Sequence, residues 1–278
     1  MSRLACPDCH RALEGSRCSA CDRVFLAEAG VLALRSRAAE ASAAERHYLD
    51  LYQRTADPWA YEHLAVERLK AERVMALVDR LAPDGSLVVE AGCATGHITR
   101  RLVTRAVSAV VFDLVPQAVA TTKALVPAPR ADVEYVVASA TELPLADGTV
   151  DLLLLLDGPL SWKLTEAQLR QVFDEAQRVV KPGGRVLVMD YLTPSKFPLL
   201  REAVVRSPLR LVAEHPFPDR LSYVLESMLR ALRGLGVVRW FFSNSTVGRV
   251  LAAFSQPFGH RGSKHVVLEC ERPRLPSQ

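Results

Sequence analysis

The sequence predicts an α/β protein built on a doubly wound, seven-stranded and mostly parallel sheet, with a small cysteine-rich module at its N-terminus. Apolar runs that are typical of strands alternate with helix-like segments from Ser86 onward. These runs are almost continuously apolar, as expected of strands that are buried on both faces. Four of the six cysteines fall within the first 21 residues. The predicted strands are residues 87–91, 107–113, 133–138, 150–156, 186–191, 237–242 and 266–270.

The composition favours a protein with one large domain and a small appendage. The chain has 278 residues and is 49% hydrophobic, which is enough for a substantial core. Its net charge of +4 is spread along the chain, so it does not indicate a nucleic-acid surface. No apolar run approaches the roughly 20 residues of a membrane span, and no signal peptide precedes Cys6. We therefore expect a cytoplasmic protein. Arginine outnumbers lysine 29 to 6, which favours a GC-rich bacterial source.

The chain is expected to divide into a cysteine module (1–35), a linker and entry helix (36–56) and a main domain (57–278). Alanine, serine and charged residues dominate the linker. Asp57 and Pro58 predict a helix start, and Thr165 predicts the start of another helix through a capping box. Prolines at positions 194, 198, 208, 216 and 218 break up a long connection, which we interpret as a helical, lid-like insertion at about 193–235.

The cysteines form two C-x2-C pairs, Cys6 with Cys9 and Cys18 with Cys21, separated by eight residues. Two tight turns at this spacing can face each other and complete a tetrahedral thiolate site for Zn²⁺. Four thiolates leave no open position, so such an ion would stabilise the fold and take no part in chemistry. A disulfide pair and a knuckle that has lost its metal are the alternatives.

The cysteine module also resembles a known zinc ribbon. An aromatic strand at 24–26 and a glycine-led apolar strand at 30–34 follow the second pair, as in the Trm112-like zinc ribbon. The segment partly resembles the ribbon of the bacterial 23S rRNA guanine-N1 methyltransferases. That family closes its metal site with a histidine, whereas this chain has Cys21 as the fourth ligand.

A turn of small residues follows the first predicted strand of the main domain. Positions 88–96 read Val-Val-Glu-Ala-Gly-Cys-Ala-Thr-Gly, and Asp113 ends the next strand, 17 residues after Gly96. Backbone can approach a ligand closely at such a turn, and a carboxylate at the second strand end can accept both hydroxyls of a ribose. A dinucleotide fingerprint would require a third glycine where His97 stands. The pattern therefore indicates an adenosine-bearing ligand.

The turn resembles motif I of the class I S-adenosylmethionine-dependent methyltransferases, and the resemblance spans roughly residues 60–271. It implies a Rossmann-like methyltransferase fold with S-adenosylmethionine as the cofactor. Two positions depart from the family pattern, because Ala94 replaces the middle glycine and Ser139 stands where an acid usually contacts the adenine. The cofactor residues implied by the resemblance are Glu90, Ala91, Gly92, Cys93, Ala94 and Gly96 for the methionine part, Asp113 and Leu114 for the ribose, Ser139, Ala140 and Thr141 for the adenine, and Asp157.

Residues for the methyl acceptor are sought at the carboxyl ends of the strands. Asp157 follows the fourth predicted strand, and we predict that it contacts the substrate or acts as a general base. Trp162 could stack on a planar acceptor, and Tyr61 belongs to an aromatic cluster that could line the same site. The alternatives are that Asp157 caps its loop and that the aromatic cluster packs against the sheet edge.

The leading hypothesis is an enzyme that methylates a small-molecule acceptor in bacterial specialised metabolism. Residues 189–191 and 197–200 resemble the corresponding segments of quinone C-methyltransferases. One alternative is an rRNA or tRNA base methyltransferase whose ribbon docks RNA. The other is a non-catalytic scaffold that binds S-adenosylmethionine. These sequence patterns do not determine the acceptor atom, the oligomeric state or the pathway.

Overall fold

The computed structural model describes residues 3–37, 43–55, 57–58, 61–126, 132–158, 160, 164–190 and 196–274. Its strands are β1 (Ala27–Glu28), β2 (Val31–Ala33), β3 (Leu87–Ala91), β4 (Ser108–Asp113), β5 (Asp132–Val137), β6 (Val150–Leu156), β7 (Val180–Met189), β8 (Arg210–Pro216) and β9 (Val266–Glu271). Its α-helices are α1 (Ala43–Arg54), α2 (Ala65–Leu81), α3 (Thr99–Leu102), α4 (Pro116–Leu125), α5 (Glu166–Val179), α6 (Lys196–Arg206), α7 (Arg220–Met228), α8 (Gly236–Ser243) and α9 (Ser245–Ser255). Short 3-10 helices span Tyr61–His63, Arg230–Leu232 and Gln256–Gly262.

The described strands form one mixed sheet in the order β1-β2-β5-β4-β3-β6-β7-β9-β8. Strands β2 to β7 run parallel to one another, whereas β1 and β9 are antiparallel to their neighbours. The α/β fold is as expected, but the prediction of seven strands is wrong. The sheet has nine because β1 and β2, from the cysteine module, extend it beyond β5.

One predicted strand is a helix, and one observed strand was not predicted. Residues 237–242 lie in α8, and β8 forms the sheet edge at 210–216 within the interval expected to be a helical insertion. Periodicity cannot separate a short apolar helix from a buried strand. Strand β8 is only partly buried, and it carries charged residues and ends at Pro216, as suits an edge. The lid-like role of the interval stays a prediction.

The first core helix begins later than predicted. Residues 61–63 form a 3-10 turn and α2 begins at Ala65, so the helix start predicted at Asp57 and Pro58 is wrong. Helix α5 begins as predicted, because Thr165 and Gln168 make both hydrogen bonds of a capping box.

Helices cover both faces of the sheet. Helix α2 packs Val74 and Val78 on one face together with residues of α3 and α4. Helices α5 and α6 and the cysteine module pack on the other face, where Phe25 and Phe173 belong to one hydrophobic cluster. Among the described residues, no helix combines the length and apolarity needed to cross a membrane.

Candidate functional site

The small-residue turn after β3 adopts a conformation that leaves its backbone open to a ligand. The φ angles of Gly92, Ala94 and Gly96 are 78°, 49° and 79°. The N–H groups of Gly92 and Cys93 donate to the carbonyl of Phe112 in β4, at 2.8 and 3.1 Å. The turn is therefore held against the next strand, with Ala94 in a left-handed conformation that favours glycine.

Asp113 ends β4 directly beside this turn. Its Oδ2 accepts a 3.0 Å hydrogen bond from the Ala94 N–H, and its Oδ1 accepts one of 3.0 Å from the Val115 N–H. Burial raises the pKa of Asp113, and these backbone hydrogen bonds partly oppose the rise. Each carboxylate oxygen can accept a further hydrogen bond, so Asp113 is positioned for a vicinal diol.

Glu90 lies within β3, and only 3% of its surface is exposed. Its Oε2 accepts a 2.7 Å hydrogen bond from Thr99 Oγ1. Burial raises the pKa of Glu90 to about 8, and repulsion from Asp113 adds to the rise while Thr99 opposes it. A cation bound nearby would favour the charged carboxylate.

A cavity of about 1210 Å³, partly open to solvent, lies over the carboxyl ends of the parallel strands. This is where ligands bind in open α/β sheets. The predicted residues that line it are Tyr61, Glu90, Ala91, Gly92, Cys93, Ala94, Asp113, Leu114, Ser139, Ala140, Thr141 and Asp157. Gly96 is not among the lining residues; a Cβ there would meet Thr122 at 3.0 Å. Trp162 lies outside the described residues.

Ser139 and Thr141 lie opposite the turn, after β5. The two hydroxyls are 2.7 Å apart, and the Thr141 N–H donates to Ser139 Oγ at 3.2 Å. These contacts hold both hydroxyls at the cavity wall, where Ala140 also lies.

Asp157, at the end of β6, forms a buried ion pair that the sequence analysis did not anticipate. Lys70 Nζ lies 2.6 Å from Asp157 Oδ2 and 2.7 Å from Glu67 Oε2. Burial alone would raise the pKa of Asp157, but attraction to Lys70 and His265 outweighs it and lowers the pKa. Asp157 is therefore a carboxylate held by a lysine.

The ion pair belongs to a wider polar network behind the cavity. Tyr223 Oη donates to Glu67 Oε1 at 2.5 Å. His265 Nδ1 lies 2.6 Å from Asp219 Oδ2, and His265 Nε2 lies 3.6 Å from Asp157 Oδ1. One sequence signal could have found part of the network, because Glu67 and Lys70 fall three residues apart on the buried stripe of α2.

His97 is buried beside the same network. Its Nδ1 lies 2.6 Å from Glu62 Oε1, and its Nε2 lies 3.1 Å from the backbone carbonyl of Glu67. Burial lowers the pKa of His97, and Glu62 partly opposes the fall. His97 therefore connects the region just after the turn to the 3-10 helix at Tyr61–His63 and to the first turn of α2.

The four N-terminal cysteines converge as predicted. Their sulfur atoms all lie within 4.8 Å of one another, with Cys6 and Cys21 Sγ 3.6 Å apart and Cys9 and Cys18 Sγ 3.4 Å apart. All four thiols are free. Zn–S bonds of about 2.3 Å in a tetrahedron place sulfurs about 3.8 Å apart, so the cluster has a suitable size and chemistry for Zn²⁺.

The two cysteine pairs have the same backbone geometry. The N–H of the first cysteine in each pair donates at 2.8 Å to a carbonyl five residues later, that of Arg11 for Cys6 and that of Arg23 for Cys18. The residue after each pair has positive φ, 57° at His10 and 59° at Asp22. Two equivalent turns thus present the four sulfurs to one point.

The turn, Glu90, Asp113 and Asp157 fall within a match to a known family. Residues 88–184 match the family described as "Methyltransferase domain". This part of the chain is therefore similar to methyltransferase domains. The chain is 30% identical over 123 residues to an uncharacterized methyltransferase of Mycobacterium tuberculosis, covering 44% of this chain and 47% of the relative. It is 39% identical over 66 residues to the ubiquinone/menaquinone biosynthesis C-methyltransferase of Rubrivivax gelatinosus, covering 24% and 25%.

Solved structures share the fold of this chain. Phosphoethanolamine N-methyltransferase 2 of Haemonchus contortus, in complex with S-adenosyl-L-methionine, superposes with a TM-score of 0.55 at 17% identity, covering 83% of this chain and 60% of that one. A complex of the Haloferax volcanii Trm112 methyltransferase activator with a methyltransferase gives 0.54 at 16% identity, covering 83% and 99%. At these identities the similarity shows the fold alone.

The family match and the curated relatives cover only part of the chain. The chain spans between a quarter and about half of the length of the curated relatives described above. The match to the methyltransferase domain covers β3 to the middle of β7. The cysteine cluster and helices α7 to α9 lie outside it.

Proposed function

We propose that this chain transfers a methyl group from S-adenosylmethionine to a small-molecule acceptor. The observation that carries the proposal is the position of Asp113, whose carboxylate is fixed by Ala94 and Val115 in the wall of the cavity. When bound, S-adenosylmethionine supplies a methyl group already activated by its sulfonium.

The cavity residues divide into groups suited to the parts of this cofactor. Asp113, with Leu114 beside it, would accept hydrogen bonds from the two ribose hydroxyls. The hydroxyls of Ser139 and Thr141, with Ala140, would contact the adenine. The turn from Gly92 to Ala94, with Glu90 and Ala91 behind it, would hold the methionine part, and the buried Glu90 carboxylate would balance its positive charge.

The remaining wall of the cavity is suited to the acceptor. Tyr48, Tyr52 and Tyr61 line this wall together with Lys70 and Asp157. Aromatic walls orient a ligand and exclude water, which is most of what methyl transfer from a sulfonium requires. The ion pair with Lys70 lowers the pKa of Asp157 and makes it a weak base. We therefore favour a binding role for Asp157, and its role as a catalytic base stays a prediction.

The small-molecule assignment rests on the cavity and on one relative. The Rubrivivax gelatinosus relative is a ubiquinone/menaquinone biosynthesis C-methyltransferase by name. Reduced quinones and other phenolic compounds are therefore the first acceptors to test, with formation of S-adenosylhomocysteine as the readout.

We also propose that Cys6, Cys9, Cys18 and Cys21 hold one structural Zn²⁺. Four sulfurs within 4.8 Å leave no position for a substrate. The ion would stabilise the N-terminal ribbon (1–35) and remain outside the chemistry of the main domain.

Calorimetric titration with S-adenosylmethionine and S-adenosylhomocysteine tests the cofactor assignment without knowledge of the acceptor. We expect Asp113→Ala to weaken binding by about 100-fold, because two hydrogen bonds to a charged group are lost. Asp147→Ala is the matched control, since Asp147 is exposed and pairs with Arg178 away from the cavity. Circular dichroism confirms that each variant is folded. Absence of binding by folded, metal-loaded wild type would overturn the proposal.

A further inference from the structure

The helices between β8 and β9 carry apolar residues on their outward faces. In α7 and the 3-10 turn after it, Val224, Met228 and Leu232 are exposed at intervals of four residues. In α9 and the 3-10 helix after it, Val250 and Phe254 and then Phe258 follow the same interval. Residues four apart lie on one side of a helix, so each element presents an apolar stripe to solvent.

Helix α8, which follows α7 in the chain, continues this surface. Leu235, just before it, and Val237 and Trp240 within it are exposed. Helix α9 contacts both α7 and α8, so the stripes lie on neighbouring elements. We call the outward side of α7, α8, α9 and their 3-10 turns the apolar face. Its large side chains are 39 to 74% exposed.

The buried positions of the same helices are both polar and apolar. Tyr223 of α7 and Phe242 of α8 are buried, and so are Ser222, Glu226 and Ser255. A surface helix normally has its apolar stripe on the core and its polar side in solvent, whereas these helices also carry large apolar residues on the solvent side. Contiguous exposed apolar residues of this extent mark an interaction surface.

The charge of this region favours an anionic partner. Residues 220–262 contain six arginines and one acidic residue, Glu226, whereas the rest of the chain has 29 basic and 30 acidic residues. The net positive charge of the chain therefore resides here. Arg239 and Arg249 are exposed on α8 and α9, among the apolar residues. A two-fold contact with a second copy would place the arginines of both copies in one interface, which disfavours self-association.

We propose that the apolar face docks this chain onto the surface of an anionic lipid bilayer. Tryptophan, phenylalanine and leucine side chains enter the boundary between headgroups and acyl chains, and arginines at their edge contact anionic headgroups. The helices lie in the plane of the surface, and none crosses it.

The docked face lies one helix away from the cavity. Tyr223, on the inward side of α7, donates to Glu67, and Glu67 contacts Lys70 at the cavity wall. Docking would place the cavity beside the bilayer and suit an acceptor that partitions into lipid. This extension rests on the proposed methyl transfer, whereas docking itself does not.

Vesicle flotation with the full-length, metal-loaded protein tests the proposal. The probes are vesicles of phosphatidylcholine alone and vesicles with 30% phosphatidylglycerol. We expect binding to the anionic vesicles that weakens at high salt. Replacing Trp240, Phe254 and Phe258 with serine should weaken binding at least about tenfold. Replacing Arg239 and Arg249 with glutamine should weaken it about fivefold for each arginine.

Two matched controls separate docking from general surface effects. Leu199→Ser removes an exposed leucine of α6, and Arg170→Gln removes an exposed arginine of α5, on the other side of the sheet. Both should bind vesicles like wild type. In a protein with Trp59 and Trp162 replaced by phenylalanine, the emission of Trp240 should shift to shorter wavelength on anionic vesicles.

Three outcomes would overturn the proposal. They are no binding of folded wild type to anionic vesicles, equal loss in the α5 and α6 controls, and a dimer in solution that the serine variant abolishes. The last of these outcomes would assign the apolar face to a contact with a second copy of this chain. Cofactor titration is independent of vesicles, so failure of the methyl-transfer proposal is distinguishable from failure of docking.

Discussion

Ala94 adopts a backbone conformation that glycine would adopt at lower cost. Its φ is 49°, its N–H donates to Asp113 and its carbonyl accepts from Thr122 Oγ1 at 3.0 Å. The contacts on both sides of Ala94 impose this left-handed geometry on a residue with a Cβ. Ala94, which stands where the methyltransferase motif has a glycine, is therefore a strained residue in the wall of the cavity.

Substitutions at Ala94 and Gly96 should change stability in opposite directions. Ala94→Gly should raise the free energy of unfolding by up to about 1 kcal/mol, because left-handed strain is relieved. Gly96→Ala should lower it by about 1 to 3 kcal/mol, because a Cβ at φ 79° would meet Thr122 Cγ2 at 3.0 Å. Urea denaturation measures both. A loss of stability in Ala94→Gly would contradict this account of the turn.

Glu90 should make the protein less stable as pH rises. Its pKa moves from an ordinary value of 4.5 to about 8 on folding, because the carboxyl is buried. The folded state therefore binds more protons than the unfolded state between these values, and the free energy of unfolding falls with rising pH by at most about 1.4 kcal/mol per unit. Glu90→Gln removes this titration and keeps an acceptor for Thr99.

From pH 6 to pH 8, we expect the free energy of unfolding of wild type to fall relative to that of Glu90→Gln. Chemical denaturation at several pH values measures it. Glu166→Gln is the matched control, since Glu166 is exposed on α5 and its substitution should leave the pH profile unchanged. Parallel profiles of wild type and Glu90→Gln across this range would show that Glu90 titrates normally.

At the scale of elements, the ion pair of Lys70 with Asp157 links α2 to the end of β6. Its ammonium lies between Asp157 and Glu67, and only 4% of its side chain is exposed. Lys70→Met should therefore lower the free energy of unfolding by about 3 to 5 kcal/mol, because two buried carboxylates lose their cation. Urea denaturation gives the magnitude.

The double variant Lys70→Met with Asp157→Asn provides the internal test. Removing one carboxylate charge together with the lysine should recover part of the loss, a coupling that a double-mutant cycle measures. Lys123→Met, at an exposed position of α4, is the control. Equal effects of Lys70→Met and Lys123→Met would exclude the buried ion pair as a source of stability.

The sequence predicts an element well when residues within that element determine its structure, and poorly when distant contacts determine it. Strands β3 and β6 have the predicted bounds, because an apolar run between turn residues defines each of them. Helix α5 begins where its capping box predicts. In contrast, the run at 237–242 is as apolar as a buried strand, and only its surroundings determine that it is the exposed helix α8.

The same distinction holds for the site. The sequence predicts the turn at 92–96 and Asp113 as one site because each is a short local pattern at the end of a strand. The two strands are parallel neighbours, so their ends lie side by side. The pairing of Lys70 with Asp157, and of His265 with Asp219, joins residues 87 and 46 positions apart. No local pattern encodes these contacts, although a charged pair on the buried stripe of α2 marks one end of the network.

At the scale of the whole molecule, the proposed ribbon (1–35) and the rest of the chain share one hydrophobic core. Leu4, Phe25 and Leu34 belong to the same cluster as residues of β3 to β7. Backbone hydrogen bonds join the two parts, from Ala5 N–H to the Pro144 carbonyl at 2.9 Å and from the Leu34 N–H to the Val137 carbonyl at 2.8 Å. The ribbon also covers the edge of β5, which would otherwise expose unpaired backbone groups.

Removal of the proposed zinc should therefore destabilise the entire chain. Metal binding to a site that exists only in the folded state contributes directly to the free energy of unfolding. Because the core is shared, we expect a chelator to move a single calorimetric transition downward by at least about 10 °C. A separate early transition, with the main one unchanged, would instead show an independent ribbon.

Metal content links this shift to the four cysteines. Wild type should contain one zinc per chain by elemental analysis, and Cys21→Ser should lose it and no longer respond to the chelator. Cys270→Ala is the matched control, because Cys270 is a buried cysteine of β9 outside the cluster. It should keep its zinc and remain sensitive to the chelator. If Cys21→Ser retained both the metal and the wild-type transition, the assignment of the four thiolates as ligands would be wrong.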